Sequence, residues 1–84
     1  LRRREEMRLT LDKVSPGRRV KVLAIEGGRG CRQQLFGLGV YPGEVLKVIR
    51  SAPFAGPIVV EANGTTFMIG RGMAQRVVVV EAAD

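Results

Sequence analysis

The side chains able to do covalent or acid–base chemistry are few in this chain, and they are not grouped. There is no histidine among the 84 residues. That removes Ser-His-Asp and Cys-His nucleophilic machinery, the commonest general base, and most zinc and iron sites. Cys31 is the single cysteine, so neither an internal disulfide nor a cysteine cluster for zinc can form. It reads as a small apolar filler on a helix. A reactive thiolate would need cationic neighbours, and only Arg29 and Arg32 stand close to it in sequence. The eight carboxylates are scattered, with only Glu5 and Glu6 adjacent, and no spacing among them marks an oxygen-ligand metal site. Gly28-Arg29-Gly30 and Gly70-Arg71-Gly72 complete neither phosphate-loop pattern and read as turns. The expectation is a protein with no catalytic, cofactor or metal site, which works by contact.

The surface for such contact is sought in Leu35 to Gly43, reading Leu-Phe-Gly-Leu-Gly-Val-Tyr-Pro-Gly. Residues 30–39 read as a helix with Cys31, Leu35 and Leu38 in one apolar stripe at i, i+4 and i+7, directed to the core. Gly37 costs the helix about 1 kcal/mol relative to alanine. Gly39 suits the left-handed position that ends a helix, and Pro42-Gly43 a tight turn. Phe36, Val40 and Tyr41 cannot all be buried with the stripe if the helix presents one face. The candidate contact set is Arg32, Phe36, Leu38, Val40 and Tyr41, with an exposed aromatic beside a basic residue as its anchor.

Strands must position this helix. Leu9 and Leu11 begin a short apolar anchor, and Ser15-Pro16-Gly17 is a turn signal. Arg19 to Glu26 reads as a strand with Val20 and Val22 on one face, and Glu44 to Arg50 as another with Leu46 and Val48 inward. Residues 53–57 form a loop. Asn63-Gly64 predicts a type I′ hairpin, in which Ala62 pairs with Thr65, Val60 with Phe67 and Ile58 with Ile69. Residues 70–75 break the pattern, as one helical turn at most. Arg76 to Glu81 holds four consecutive valines and reads as a strand covered on both sides; the sharper alternative leaves one valine face for a partner or a second copy. The fold class is mainly β, a small barrel or sandwich of about five strands with one short helix inserted between the first two.

A chain of this length forms one small domain that buries about 60–65% of its unfolded surface. The expected organisation is a basic, disordered N-terminal extension over 1–8 and a single domain over 9–84, with Met7 a candidate start. No apolar run reaches the length of a membrane-spanning helix, and no apolar signal region is visible, so the expected location is cytoplasmic. The formal net charge is +6, which favours acidic partners. Part of it is local, since Arg2, Arg3, Arg4 and Arg8 outnumber Glu5 and Glu6.

The order of these motifs resembles the FeoA family, small cytosolic accessory proteins of bacterial ferrous iron uptake. The pieces are Ser15-Pro16-Gly17, Gly27-Gly28, a helix with Leu35, Leu38-Gly39-Val40, Pro42-Gly43-Glu44, Gly56-Pro57-Ile58-Val59-Val60, Phe67-Met68-Ile69-Gly70-Arg71, Ala74 and the valines at 77–80. They span about residues 9–81, and the ordered set is more specific than any piece. The basic head and Gly37 depart from the pattern. The resemblance implies an SH3-like β-barrel and a partner, the FeoB ferrous iron permease, whose cytosolic part binds GTP. The same type of domain also ends some metal-dependent repressors. The alternative function is a small basic barrel that binds RNA or another nucleic acid. Against it, aromatics make up only 5% of the chain, and Tyr41, Phe36, Phe54 and Phe67 form no cluster in sequence.

Overall fold

The computed structural model describes residues 8–82; the expected basic extension therefore lies almost wholly outside the described residues. The elements are β1 (Leu9–Thr10), a 3₁₀ turn (Leu11–Lys13), β2 (Arg19–Ile25), α1 (Arg29–Gly37), β3 (Val45–Ser51), β4 (Ile58–Ala62), β5 (Thr65–Ile69), the single turn α2 (Arg71–Ala74) and β6 (Val77–Glu81). All six strands join one antiparallel sheet in the order β1-β6-β2-β3-β4-β5. The two-residue β1 adds a strand to the five expected, and the helix sits between β2 and β3 as expected. The break at 70–75 resolves into α2.

Alternation sets the inner face. Val20 and Val22, Leu46 and Val48, and Ile58, Val60 and Ala62 are all buried, as period-two strands require. Two bulges keep the pattern in phase where the sequence would lose it. In β2 the register against β6 shifts between Val22 and Ala24, and in β3 the register against β4 shifts between Val48 and Arg50. The extra residues are Leu23 and Ile49, both exposed. The first bulge returns Ile25 to the core beside Val22. Such insertions also bend a strand and raise its twist, which helps a small sheet to curl.

The hairpin register is the one read from Asn63-Gly64: Ala62 faces Thr65, Val60 faces Phe67 and Ile58 faces Ile69. Both turn residues take positive φ, 52° and 79°, as a type I′ turn demands. On β6, Val77 and Val79 are fully buried, whereas Val78 and Val80 are half-buried. The valine strand is therefore covered completely on one side only. It lies inside the sheet, between β1 and β2: β2 pairs along its length, and β1 covers its other edge opposite Val78 and Val79.

Candidate partner-contact surface

Helix α1 ends in a Schellman motif. The amide of Gly39 donates to the carbonyl of Phe36 at 2.9 Å, and the amide of Val40 donates to the carbonyl of Leu35 at 2.9 Å. Gly39 supplies the left-handed residue, with φ 94°. The motif brings together the residue after the glycine and the residue four places before it; here both Val40 and Leu35 are 0% exposed. Val40 is therefore a core residue and leaves the candidate contact set, because the chain reversal at Gly39 turns it inward. The same reversal corrects the expected stripe. Leu35 alone is fully buried and Cys31 packs against the core only in part, while Leu38, at the cap, is 41% exposed. A periodic stripe presumes that the helix continues through residue 38, and it ends there instead.

The exit from the helix is held as firmly as its end. Pro42 and Gly43 occupy the centre of a turn closed by the Glu44 amide donating to the Tyr41 carbonyl at 3.0 Å, with Gly43 at φ 96°. This is a type II turn with proline and glycine in their preferred places. The Gly43 amide donates to Val22 at 2.7 Å, and the Val22 amide donates to Glu44 at 2.9 Å, which ties the turn to β2. Phe36 on the last turn of the helix and Tyr41 beyond the reversal then meet face to face. Their ring centroids are 5.2 Å apart at 29°. Phe36 is 37% exposed and Tyr41 45%.

Of the five expected contact residues, the structure brings Arg32, Phe36, Leu38 and Tyr41 to the surface around this reversal. Arg32 and Phe36 line one groove with Gly27, Gly28, Arg29 and Gln33. The groove carries two arginines and one aromatic ring, Phe36, whose stacking partner is Tyr41, an arrangement suited to holding an acidic or apolar segment of another molecule. Nothing in it can act as a general acid, a base or a nucleophile. Among the described residues no cluster of three or more His, Cys, Asp or Glu is assembled.

Two residues escaped sequence reasoning. Arg71 is the first. Its Nε donates to the Gly56 carbonyl at 3.0 Å, and Nη2 donates to the Ala52 carbonyl at 2.9 Å and to Ser51 Oγ at 3.0 Å. A longer bond from Nη1 reaches the Asp12 carbonyl at 3.4 Å. All of these acceptors are neutral. Phe54 is the second. It caps the loop between β3 and β4 and is 99% exposed. The one available signal was its place in an uncharged run bounded by Pro53 and Pro57.

The FeoA domain model matches residues 9–81. A Methanocaldococcus jannaschii protein named Fe(2+) transport protein A is 38% identical over 66 residues, 79% of this chain and 78% of that protein. The crystal structure of an iron uptake regulatory protein (FeoA) superposes with a TM-score of 0.85 at 38% identity, covering 90% of this chain and 100% of that one. The solution structure of FeoA from Chlorobium tepidum gives 0.80 at 32% identity, covering 89% and 71%. A manganese-dependent transcriptional repressor shares the fold at 0.83 and 24% identity, with 42% of its own length covered. The curled six-stranded sheet with its inserted helix is thus the SH3-like architecture expected, and by the extent of these matches the chain belongs to the FeoA domain family.

Proposed function

We propose that this protein is a non-catalytic, cytoplasmic accessory of ferrous iron uptake that binds the GTP-binding part of a FeoB-type permease. The contact is made by Arg32, Phe36, Leu38 and Tyr41. The observation that carries this reading is the stacked, half-exposed pair Phe36–Tyr41, fixed by the Schellman end and the type II turn and set beside Arg32. A pre-ordered aromatic anchor loses little conformational freedom on binding, which is where interfaces gain affinity. No helix of the described chain is long and apolar enough to cross a membrane, so a role in transport falls to a partner that spans one. The name of the Methanocaldococcus relative supports the iron connection.

The nucleic-acid alternative has less support. Stacking successive bases needs several open aromatic faces, whereas Phe36 and Tyr41 cover one another, Phe67 packs against the core, and Phe54 alone stands fully open among these rings. Titration calorimetry against the permease's GTP-binding part, with random-sequence RNA in a parallel cell, separates the two. Saturable binding to the permease, weakened by Phe36→Ala and by Arg32→Glu in folded protein, is expected. Unchanged affinity in both variants removes this surface. Tight, salt-sensitive RNA binding with none to the permease overturns the reading.

A further inference from the structure

The loop between β3 and β4 carries no charge from Ser51 to Val60, and its apex, Phe54, stands in solvent. Phe54 and Ala55 take φ of 56° and 59°, left-handed values that non-glycine residues adopt only when the surroundings hold them there. The surroundings are identifiable. The Ala52 amide donates to the Pro57 carbonyl and the Gly56 amide to the Pro53 carbonyl, each at 3.1 Å. Arg71 occupies the carbonyls of Ala52 and Gly56 from below. Pro53 and Pro57 have no N–H to satisfy. The loop thus meets much of its hydrogen-bonding need internally while holding an aromatic ring away from the protein. A segment entering an apolar medium has that requirement.

Along the chain, the charge flanking the loop is one-sided. The chain holds no carboxylate between Arg50 and Val60 or between Ala62 and Val80, whereas Arg50 and Arg71 fall in those stretches; Arg76, also in the second stretch, lies beside Gly27 instead. Arg71 bonds only neutral acceptors, and Asp12 offers it a main-chain carbonyl rather than its carboxylate. The outer face continues the theme, since Arg50 pairs with Val59 and Val59 with Met68 across three strands, and Met68 is exposed.

The geometry points to the Phe54 loop as a membrane-interface anchor, which inserts its ring among the acyl chains of an anionic bilayer while Arg50 and Arg71 stay at the headgroups. Charge complementarity selects the anionic surface, because basic side chains near such a leaflet each add attraction that salt screens. One ring and a few cations give a reversible, peripheral contact.

The test uses the full chain and extruded vesicles of phosphatidylcholine with 30% phosphatidylglycerol, against pure phosphatidylcholine, at about 0.1 M salt. Co-sedimentation with the anionic vesicles is expected, with Phe54→Ala lowering the partition coefficient about tenfold. The variant must fold, because the side chain it removes touches almost nothing. The chain has no tryptophan, so Phe54→Trp introduces a single reporter. Its emission shifts to the blue with anionic vesicles and stays unshifted with zwitterionic ones. Failure to sediment, equal sedimentation of wild type and Phe54→Ala, or an unshifted Phe54→Trp spectrum overturns the proposal. Equal sedimentation would assign the attraction to charge alone, including the arginines at residues 2–4. Loss of permease affinity in Phe54→Ala without vesicle binding would assign the ring to a protein pocket instead.

Discussion

Phe36 and Tyr41 stack at 5.2 Å across a complete reversal of the chain, although only Gly37 to Val40 separate them in sequence. The pair couples the end of the helix to the start of the following turn. Stacked aromatics add about 0.5–1.5 kcal/mol beyond the area they bury. A double-mutant cycle of Phe36→Ala and Tyr41→Ala in urea unfolding should give a coupling of about 1 kcal/mol. Strict additivity would mean that the rings touch without stabilising the reversal.

The two glycines near the helix end should respond in opposite directions. A Cβ at Gly37 would meet nothing within 4 Å, and the position is helical. Gly37→Ala should stabilise the domain by about 0.5–1 kcal/mol. Gly39 is equally roomy but sits at φ 94°, where a side chain is strained. Gly39→Ala should cost about 1–2 kcal/mol. Thermal unfolding of both variants checks this, with about 4–8 °C per kcal/mol for a domain of this size.

Val40 and Leu38, two residues apart, should separate stability from binding. Val40→Ala opens the core beside Leu35 and should cost about 2 kcal/mol. Leu38→Ala removes an exposed side chain and should change stability by less than about 0.5 kcal/mol, while weakening the permease complex in calorimetry. The reverse pattern would show that the Schellman reversal is misassigned.

Arg71 should act as a clamp on the β3–β4 loop. Arg71→Met leaves the Ala52 and Gly56 carbonyls without their charged donor, at a cost of about 1–3 kcal/mol. Arg71→Lys should rescue little, since a point charge cannot reach the several acceptors that the planar fork spans. Amide exchange at Ala52 and Gly56 should accelerate in both variants while the β4–β5 hairpin stays protected. Gly56→Ala should disturb the same loop, because its Cβ would lie 2.8 Å from that of Ala52.

Much of the framework was legible because local rules agreed with one another. Asn63-Gly64 fixed the register of one hairpin, and alternation in the flanking strands pointed to the same pairs. The helix and its glycine stop were visible too, but the side chains around the stop were not assigned correctly. Periodicity assumes a continuing helix, and the reversal at Gly39 moves Val40 inward and Leu38 outward. The bulges at Leu23 and Ile49 were invisible for a related reason, since each is defined by the register against a partner strand, β6 for Leu23 and β4 for Ile49, and not by the residues beside it. Arg71 shows the same limit from the side of hydrogen bonding. Its acceptors lie between 15 and 59 residues away in sequence, and no pattern near it announces them.

The position of β6 also governs when the domain can come into being. It is the final described strand in sequence, yet it sits inside the sheet, between β1 and β2. Until it arrives, β2 lacks one neighbour and β1 has no partner. Its buried valines, Val77 and Val79, are likewise missing from the core. During synthesis the nascent chain must wait with an incomplete sheet until residue 81 has cleared the ribosome. Such late, long-range pairing slows folding and leaves strand edges open in the interval. A nonsense mutation at Gln75 would therefore not trim an edge from this protein but divide its sheet from within.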